Sequence, residues 1–255
     1  MGVMPWIDLD GAVNVRDLGG LPTADGGKTA GGRLLRADNL QELTPADVDK
    51  LVRDVGVTTV VDLRSTTELE SEGPAPLDAI ASVRHAHHPV LPELGSATDV
   101  IADALLLRRD QDRSRYPDDP MCGHYLGYLE DRPEEVAGAM RSIATAEGAA
   151  LVHCAAGKDR TGVVVALALS AVGVRPEAVI ADYAATGERL DAILARLLRS
   201  PTYATDLEGR PAEVHVPRPL TMAAFLAQLD ARGGAIGWLA AHGFTEFPQL
   251  RAKLL

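Results

Sequence analysis

The sequence predicts an α/β fold with a mostly parallel central sheet and a helical C-terminal third. Up to about residue 173, short apolar segments rich in β-branched residues alternate with segments of helical periodicity, as in strands joined by crossover helices. From about residue 174 to residue 255, helix-start signals and helical periodicity dominate. The composition, 46% hydrophobic and 24% charged, is ordinary for a globular protein. A chain of 255 residues can bury one sizeable core, so we expect a single domain over residues 1–255.

The first elements are indicated by turn and cap signals. Residues 6–20 contain a short alternating segment, and residues 33–36 predict a short strand after a glycine-rich turn. Thr44 is of the residue type preferred at a helix N-cap, and Pro45 suits the first helical position. Gly56 is expected to end this helix.

A buried parallel strand is predicted for residues 57–63, which are rich in β-branched side chains. This strand places Asp62 and Arg64 near its carboxyl end, the edge where open α/β sheets bind their ligands. A short acidic helix over residues 65–72 and another strand over residues 82–88 are expected to follow.

The remaining chain divides into a loop, a linker and helices. Residues 89–120 predict a variable loop that can contain one helix, and residues 200–216 predict a polar, proline-bearing linker. Helices are predicted over residues 121–130, 133–147, 176–186, 188–199, 218–231, 234–242 and 247–254.

Charge and cysteine usage exclude several classes of protein. A formal net charge of −11 disfavours nonspecific binding to nucleic acid or to an anionic membrane surface. The longest apolar run, residues 163–172, is too short to span a bilayer. Two cysteines, Cys122 and Cys154, form no disulfide framework. We therefore expect a cytoplasmic protein without stable membrane association and without a nucleic-acid partner.

Residues 149–173 carry the strongest functional pattern. They predict a buried strand, then a tight loop, then an apolar helix that begins near Arg160. Cys154 stands at the carboxyl end of the strand and faces the N-terminus of the helix, where partial positive charge and unpaired N–H groups bind anions. Such surroundings lower the pKa of a cysteine from about 8.5 to about 3.5–7.5.

The other residues of this loop suit a tetrahedral anion. Arg160 supplies a planar fork that grips two phosphate oxygens, and Gly157 lets the backbone fold around the anion where a Cβ would obstruct it. Thr161 can donate a hydrogen bond to the sulfur of Cys154. A merely buried structural cysteine is the alternative, but it does not explain Gly-Lys-Asp-Arg-Thr-Gly at one helix entrance.

The string from His153 to Gly162 resembles the loop of a bacterial tyrosine-phosphatase family that carries Lys-Asp-Arg-Thr-Gly. Members of that family also act on phosphoserine, phosphothreonine and phosphoinositides. Further similar segments are Asn14-Val-Arg-Asp17, Val61-Asp-Leu-Arg-Ser65, Ala181-Asp-Tyr183 and Gly234 to Gly243 with Trp238, so the resemblance covers the chain except residues 89–120 and 200–217. Val15 and Ala155 depart from the bulkier residues found in that family.

This resemblance implies a three-layer cysteine-dependent phosphatase fold and a two-step, metal-free hydrolysis without a cofactor. Cys154 is expected to attack phosphorus, and Arg160 to stabilise the equatorial oxygens. The remaining expected substrate-binding residues are Ala155, Ala156, Gly157, Lys158, Thr161, Gly162 and Arg64. Lys158 either binds a second phosphate or only raises the local potential.

Three aspartates are candidates for the general acid that protonates the leaving oxygen. Asp159, within the loop, is our first choice. Asp62 is the second, and its alternative role is to hold Arg64 or Arg160. Asp118, in Tyr116-Pro-Asp118, resembles the mobile Trp-Pro-Asp loop of eukaryotic tyrosine phosphatases, but proline-aspartate pairs are ordinary turn chemistry.

Phosphotyrosine is the expected substrate, because the family resemblance points to it. The alternatives are a small-molecule phosphatase for a nucleotide, sugar or inositol phosphate, and an inactive phosphate-binding module. Residues 187–232 are predicted either to complete the core or, by resemblance, to form a lid over the site.

Overall fold

The computed structural model describes residues 6–91, 116 and 119–255. Its strands are β1 (Arg16–Asp17), β2 (Leu34–Ala37), β3 (Val57–Asp62), β4 (Arg84–His87) and β5 (Ala149–His153). They form one sheet in the order β1-β2-β5-β3-β4, in which β1 is antiparallel to β2 and the other pairs are parallel. The predicted, mostly parallel sheet is therefore confirmed.

Helices surround this sheet and make up the C-terminal third. They are α1 (Pro45–Asp49), which continues as a π-helical turn (Lys50–Asp54), α2 (Thr66–Glu72), α3 (Pro120–Asp131), α4 (Pro133–Ala144), α5 (Asp159–Ala171), α6 (Pro176–Ala185), α7 (Leu190–Leu197), α8 (Pro201–Leu207), α9 (Pro219–Asp230), α10 (Gly234–Ala241) and α11 (Phe247–Leu254). Single 3-10 turns occupy Pro76–Ala79, Thr186–Arg189 and Ala212–His215. None of the helices described has the length and apolar character needed to cross a membrane.

The sheet is covered on both faces, because neighbouring residues of a strand point to opposite sides. In β2 and β5, Leu35 and Leu151 pack in a cluster that includes Val48 of α1. Leu34 and Val152 pack in the larger cluster on the other face, which is formed by α3 to α6 and α9 to α11. Helices on both faces of a central sheet give the three-layer α/β fold.

The position of β5 explains where the site lies. This strand is buried along its whole length and lies between β2 and β3, so that Val152 is in register with Arg36 and Val61. The chain leaves the carboxyl edge of the sheet after His153 and enters α5 at Asp159. The intervening loop is therefore flanked by the ends of β2 and β3.

The predicted linker over residues 200–216 is wrong. The segment contains α8 and the 3-10 turn Ala212–His215. Ser200 caps α8 by accepting a hydrogen bond from the amide of Thr202, and Tyr203 and Leu207, four residues apart, are buried. The polar composition concealed an i, i+4 apolar pair and a Ser-Pro helix start. Most of the predicted loop over residues 89–120, including Asp118, lies outside the described residues.

Candidate active site

Cys154 is fully buried at the start of the loop that joins β5 to α5. The hydroxyl of Thr161, in the first turns of α5, donates a hydrogen bond to its sulfur across 3.2 Å. A donor at this position stabilises negative charge on sulfur. The structure thus brings together the predicted nucleophile, its predicted hydrogen-bond donor and the N-terminus of a 13-residue helix.

The loop is a tight turn that only glycine permits at its centre. Gly157 has φ +67°, and a Cβ there would lie 2.3 Å from the carbonyl oxygen of Ala37. Both the backbone conformation and the contact with β2 therefore require glycine. Gly162 contacts the ring of Tyr183, where a Cβ would lie 3.1 Å from Cδ2.

Three consecutive carbonyls of the loop are held by the protein beneath it. The amide of Asn39 donates to Ala155 O across 2.8 Å, and Nδ2 of Asn14 donates to Ala156 O across 2.9 Å. Nη2 of Arg36 donates to Gly157 O across 2.5 Å. In a trans peptide the N–H points opposite to the C=O. The amides that follow these carbonyls are therefore turned toward the other side, where an anion would sit.

The side chains that hold these carbonyls belong to a buried charged network. Asp182 of α6 accepts from Nε of Arg16 at 2.8 Å and from Nη1 of Arg36 at 2.5 Å. Arg16 also donates to the side-chain oxygen of Asn14. Burial raises the pKa of Asp182, but the two arginines lower it below its ordinary value, so the carboxyl stays ionised. We call Asn14, Arg16, Arg36 and Asp182 the floor of the loop.

Arg160 is fixed by a partner that the sequence analysis missed. Its Nη1 and Nη2 donate to the two carboxylate oxygens of Glu68 across 2.6 and 2.8 Å, and both side chains are buried. Glu68 closes the capping box of α2 with Ser65. This two-point contact sets the plane of the guanidinium. The Ser-x-x-Glu pattern was the available signal for Glu68.

Asp159 is the first residue of α5 and is held by Tyr125, whose hydroxyl is in turn paired with that of Tyr183. The hydroxyl of Tyr125 donates to Oδ1 of Asp159, and the hydroxyls of Tyr125 and Tyr183 lie 2.7 Å apart. Burial and the charge of Asp159 raise the pKa of Tyr125 well above its ordinary value, so it remains a donor. Nζ of Lys158 lies 3.5 Å from the other oxygen, Oδ2.

Asp62 pairs with Arg64 at the end of β3. Its carboxylate accepts from Nε of Arg64 at 3.0 Å and from Nη2 at 2.5 Å, while Nε2 of His153 lies 3.4 Å away. Burial raises the pKa of Asp62, but His153 and Arg64 together lower it well below its usual range. Burial lowers the pKa of His153 to about 4. Arg64 also donates to Gln41.

Helices α7 and α8 and the turn Ala212–His215 cover the loop; we call them the cover. An apolar cluster joins Ala155 of the loop to Ile193, Leu197, Tyr203 and Leu207 of the cover. Lys158 donates to the carbonyl of His215 across 2.9 Å. A small, mostly apolar pocket remains between the two parts, lined by Ala155, Ala156, Lys158, Asp159, Leu190, Ile193, Leu194, Leu197, Leu207 and His215, among others.

Sequence comparisons agree with this geometry. A model of the tyrosine phosphatase family matches residues 7–255. The triple specificity protein phosphatase PtpB of Mycobacterium tuberculosis is 31% identical over 221 residues, which cover 81% of this chain and 78% of that protein. A Cupriavidus necator protein, provisionally named a tyrosine-protein phosphatase, is 34% identical over 183 residues, or 71% of this chain and 63% of that protein.

A tyrosine-protein phosphatase of Nostoc commune is 29% identical over 157 residues, which cover 62% of this chain and 49% of that protein. The matched part of the chain thus spans less than two thirds of the length of the Cupriavidus and Nostoc proteins. The family match nevertheless extends over nearly the whole chain and confirms the resemblance found in the loop. The chain belongs to the tyrosine phosphatase family.

Proposed function

We propose that this protein is a cysteine-dependent phosphomonoester hydrolase whose first substrate class is phosphotyrosine. The observation that carries the proposal is the loop geometry around Cys154. Two carbonyls of the loop accept hydrogen bonds from the floor, and the sulfur of Cys154 accepts one from Thr161. Glu68 holds the guanidinium of Arg160 in one plane. These contacts prepare a nucleophile and an anion site before substrate arrives.

The proposed reaction has two steps. The Cys154 thiolate attacks phosphorus, a P–S bond forms, and the bond from phosphorus to the leaving oxygen breaks. Arg160 and the loop amides stabilise the equatorial oxygens. In the second step, water attacks the cysteinyl phosphate, which releases phosphate and restores the thiolate.

We propose Asp159 as the general acid that protonates the leaving oxygen, and its carboxylate as the base that accepts a proton from water. Tyr125 occupies Oδ1, so Oδ2 is the oxygen assigned to proton transfer. Asp62 suits this role less well, because its pKa lies well below its usual range and its oxygens bind Arg64. We assign Asp62 to holding Arg64 in place.

The apolar pocket beside the loop supports an aromatic substrate. With the cover in place this pocket, about 20 Å³, admits only a water-sized group. Ile193, Leu194 and Leu197 of α7 line it together with Ala155, and when the cover opens such a lining would contact a phenyl ring more favourably than a sugar. The alternative is a small-molecule phosphate ester such as an inositol phosphate. Lys158, 6% exposed, favours this alternative, because its ammonium would bind a second phosphate.

We also propose that the cover opens to admit substrate, because Cys154, Ala155 and Arg160 are each at most 1% exposed while it is in place. Because the cover and the sheet both contribute to the site, we propose that the elements from β1 to α11 form a single catalytic domain. The mechanism needs the reduced thiol of Cys154, so we propose that the protein works in a reducing compartment such as the cytoplasm.

The test is phosphate release from phosphotyrosyl and phosphoseryl peptides, phosphoinositides and sugar phosphates. We expect the highest kcat/KM on phosphotyrosyl peptides, and no activity in Cys154→Ser. Cys122→Ser is the matched control, because it removes the other buried free thiol. Activity that survives in Cys154→Ser would overturn the mechanism. Phosphate binding without any turnover by the wild type would favour an inactive binding module.

A further inference from the structure

The hydroxyl of Tyr203 is a buried polar group without a hydrogen-bond partner in the described part of the chain. Tyr203 lies on α8, and its side chain is fully buried. Buried hydroxyls are nearly always paired, because an unpaired one has lost its water without compensation. An unpaired hydroxyl beside the proposed anion site therefore points to a ligand.

The surroundings of this hydroxyl are those of the proposed phosphate site. The charges that act on it are those of Glu68, Arg64, Arg160 and Glu72. Burial, the largest effect, raises the pKa of Tyr203 well above its ordinary value. The hydroxyl therefore stays protonated and can donate a hydrogen bond at any physiological pH.

The cover holds the ring of Tyr203 in one place. The ring packs in the same apolar cluster as Ala155, the residue that follows the proposed nucleophile. Ser200, which caps α8, donates from its hydroxyl to Oε1 of Glu72 across 2.5 Å. Arg196 of α7 pairs with Asp38 and donates to the carbonyl of Asn39 across 3.1 Å. These bonds hold the start of α8 and the neighbouring helix α7 against the rest of the protein, and they thereby fix the position of the Tyr203 hydroxyl.

We propose that the Tyr203 hydroxyl donates a hydrogen bond to a non-bridging oxygen of the phosphoryl group gripped by Arg160. Closure of the cover then completes the phosphate site, and bound phosphate in turn favours closure because it pairs the hydroxyl. This inference rests on the proposed function, since it assigns a further substrate contact within the same site.

The test compares Tyr203→Phe with the wild type, using inorganic phosphate as the probe. In ligand-free protein we expect the Tm of Tyr203→Phe to be unchanged or higher, because the variant removes an unpaired buried hydroxyl. We expect the Kd for phosphate, from competitive inhibition and from ligand-dependent Tm, to rise about tenfold with the loss of a hydrogen bond to a charged acceptor. A merely structural tyrosine would not weaken phosphate binding while leaving the fold as stable.

Tyr128→Phe is the matched control. Tyr128 is a buried tyrosine of α3 whose hydroxyl is paired with Nε2 of His124 at 2.8 Å. This variant should have a lower Tm and an unchanged Kd for phosphate. The two variants are thus expected to show opposite patterns.

Two results would overturn the inference. One is a Kd for phosphate in Tyr203→Phe within twofold of the wild-type value. The other is tighter phosphate binding in Tyr203→Ala than in the wild type, which would mean that the ring plugs the site. The proposed function fails separately, through absent turnover in the wild type or activity in Cys154→Ser. Because the phosphate Kd is measured without turnover, the two failures are distinguishable.

Discussion

The floor and the cover of the phosphate loop are built in different ways. The floor consists of buried charges and amides that hold loop carbonyls and pair with one another through Asp182. The cover meets the loop through an apolar cluster and the hydrogen bond from Lys158 to the carbonyl of His215. It is bonded to the rest of the protein by Arg196, which pairs with Asp38, and by Ser200, which donates to Glu72 of α2. Each part also has a buried group without a hydrogen-bond partner among the described residues: Nε of Arg36 in the floor and the hydroxyl of Tyr203 in the cover. We infer that the floor shapes the anion site before a ligand binds, whereas the cover, under the proposed function, exchanges its contacts with the ligand.

The largest expected effect comes from breaking the floor. Asp182→Ala leaves Arg16 and Arg36 buried without their carboxylate, and loss of one partner from a buried ion pair costs about 3–5 kcal/mol. We expect a loss of stability of that size in urea unfolding, together with weaker vanadate binding in the folded fraction.

Lys253→Met is the control for this change. Lys253 is a buried cation that donates to the carbonyls of Ala146 and Gly148, near the start of β5 and away from the loop. It should lower stability while leaving vanadate affinity as in the wild type. Equal losses of vanadate affinity in both variants would contradict a specific role for the floor.

Acid should destabilise the protein through His153, which lies at the end of β5 against Asp62. Burial lowers its pKa to about 4 in the folded state, against about 6.5 when unfolded. The unfolded chain therefore binds a proton first as pH falls, and stability decreases between about pH 6.5 and 4 by up to about 3 kcal/mol. Urea unfolding across this range should show a shallower pH slope in His153→Asn. An unchanged slope would count against the buried neutral imidazole.

Substitutions of Asp159 and Asp62 decide which aspartate is the general acid. Our choice, Asp159, lies where the loop meets the cover. On substrates with poor leaving groups, Asp159→Asn should lower kcat about 100-fold, the size of general-acid catalysis. On aryl phosphates with good leaving groups, the loss should be small. Asp62→Asn should lower activity on both kinds of substrate alike, because it disturbs Arg64 instead of proton transfer. If only Asp62→Asn shows dependence on the leaving group, the assignment is wrong.

The smallest expected effect concerns the cover alone. Ser200→Ala removes the cap of α8 and its bond to Glu72, a change of about 1 kcal/mol, which corresponds to roughly fivefold in an opening equilibrium. We expect iodoacetamide to alkylate Cys154 about fivefold faster. Thr44→Ala removes the cap of α1, a helix that packs in the cluster of Leu35 and Leu151 and not in that of the cover, and it should leave that rate unchanged. Equal rates in the two variants would show that α8 does not control access.

Much of the fold could be predicted from local pattern. The β-branched run of β3, the caps Thr44 and Ser65, and the strand–loop–helix around Cys154 are each specified by neighbouring residues. The short helix α8 could not be predicted, because seven residues are too few to show helical periodicity and Tyr203 is buried only by its packing against the loop.

The buried partners that hold the site residues could not be predicted from the sequence, for a different reason. Arg160 meets Glu68 across 92 positions of sequence, and Arg36 meets Asp182 across 146. No spacing rule connects such partners, because the topology of the sheet and the packing of α6 bring them together. Family resemblance pointed to the segments that hold Asn14 and Asp182 but assigned them no role.

The most direct test of the account is to trap the covalent intermediate. The enzyme is quenched in acid during turnover of a phosphotyrosyl peptide, digested, and examined by mass spectrometry. We predict one added phosphoryl group on the peptide that contains Cys154, and none in Cys154→Ser. A phosphoryl group on any other residue would contradict the central role of this loop, as would turnover with no phosphorylated peptide at any quench time.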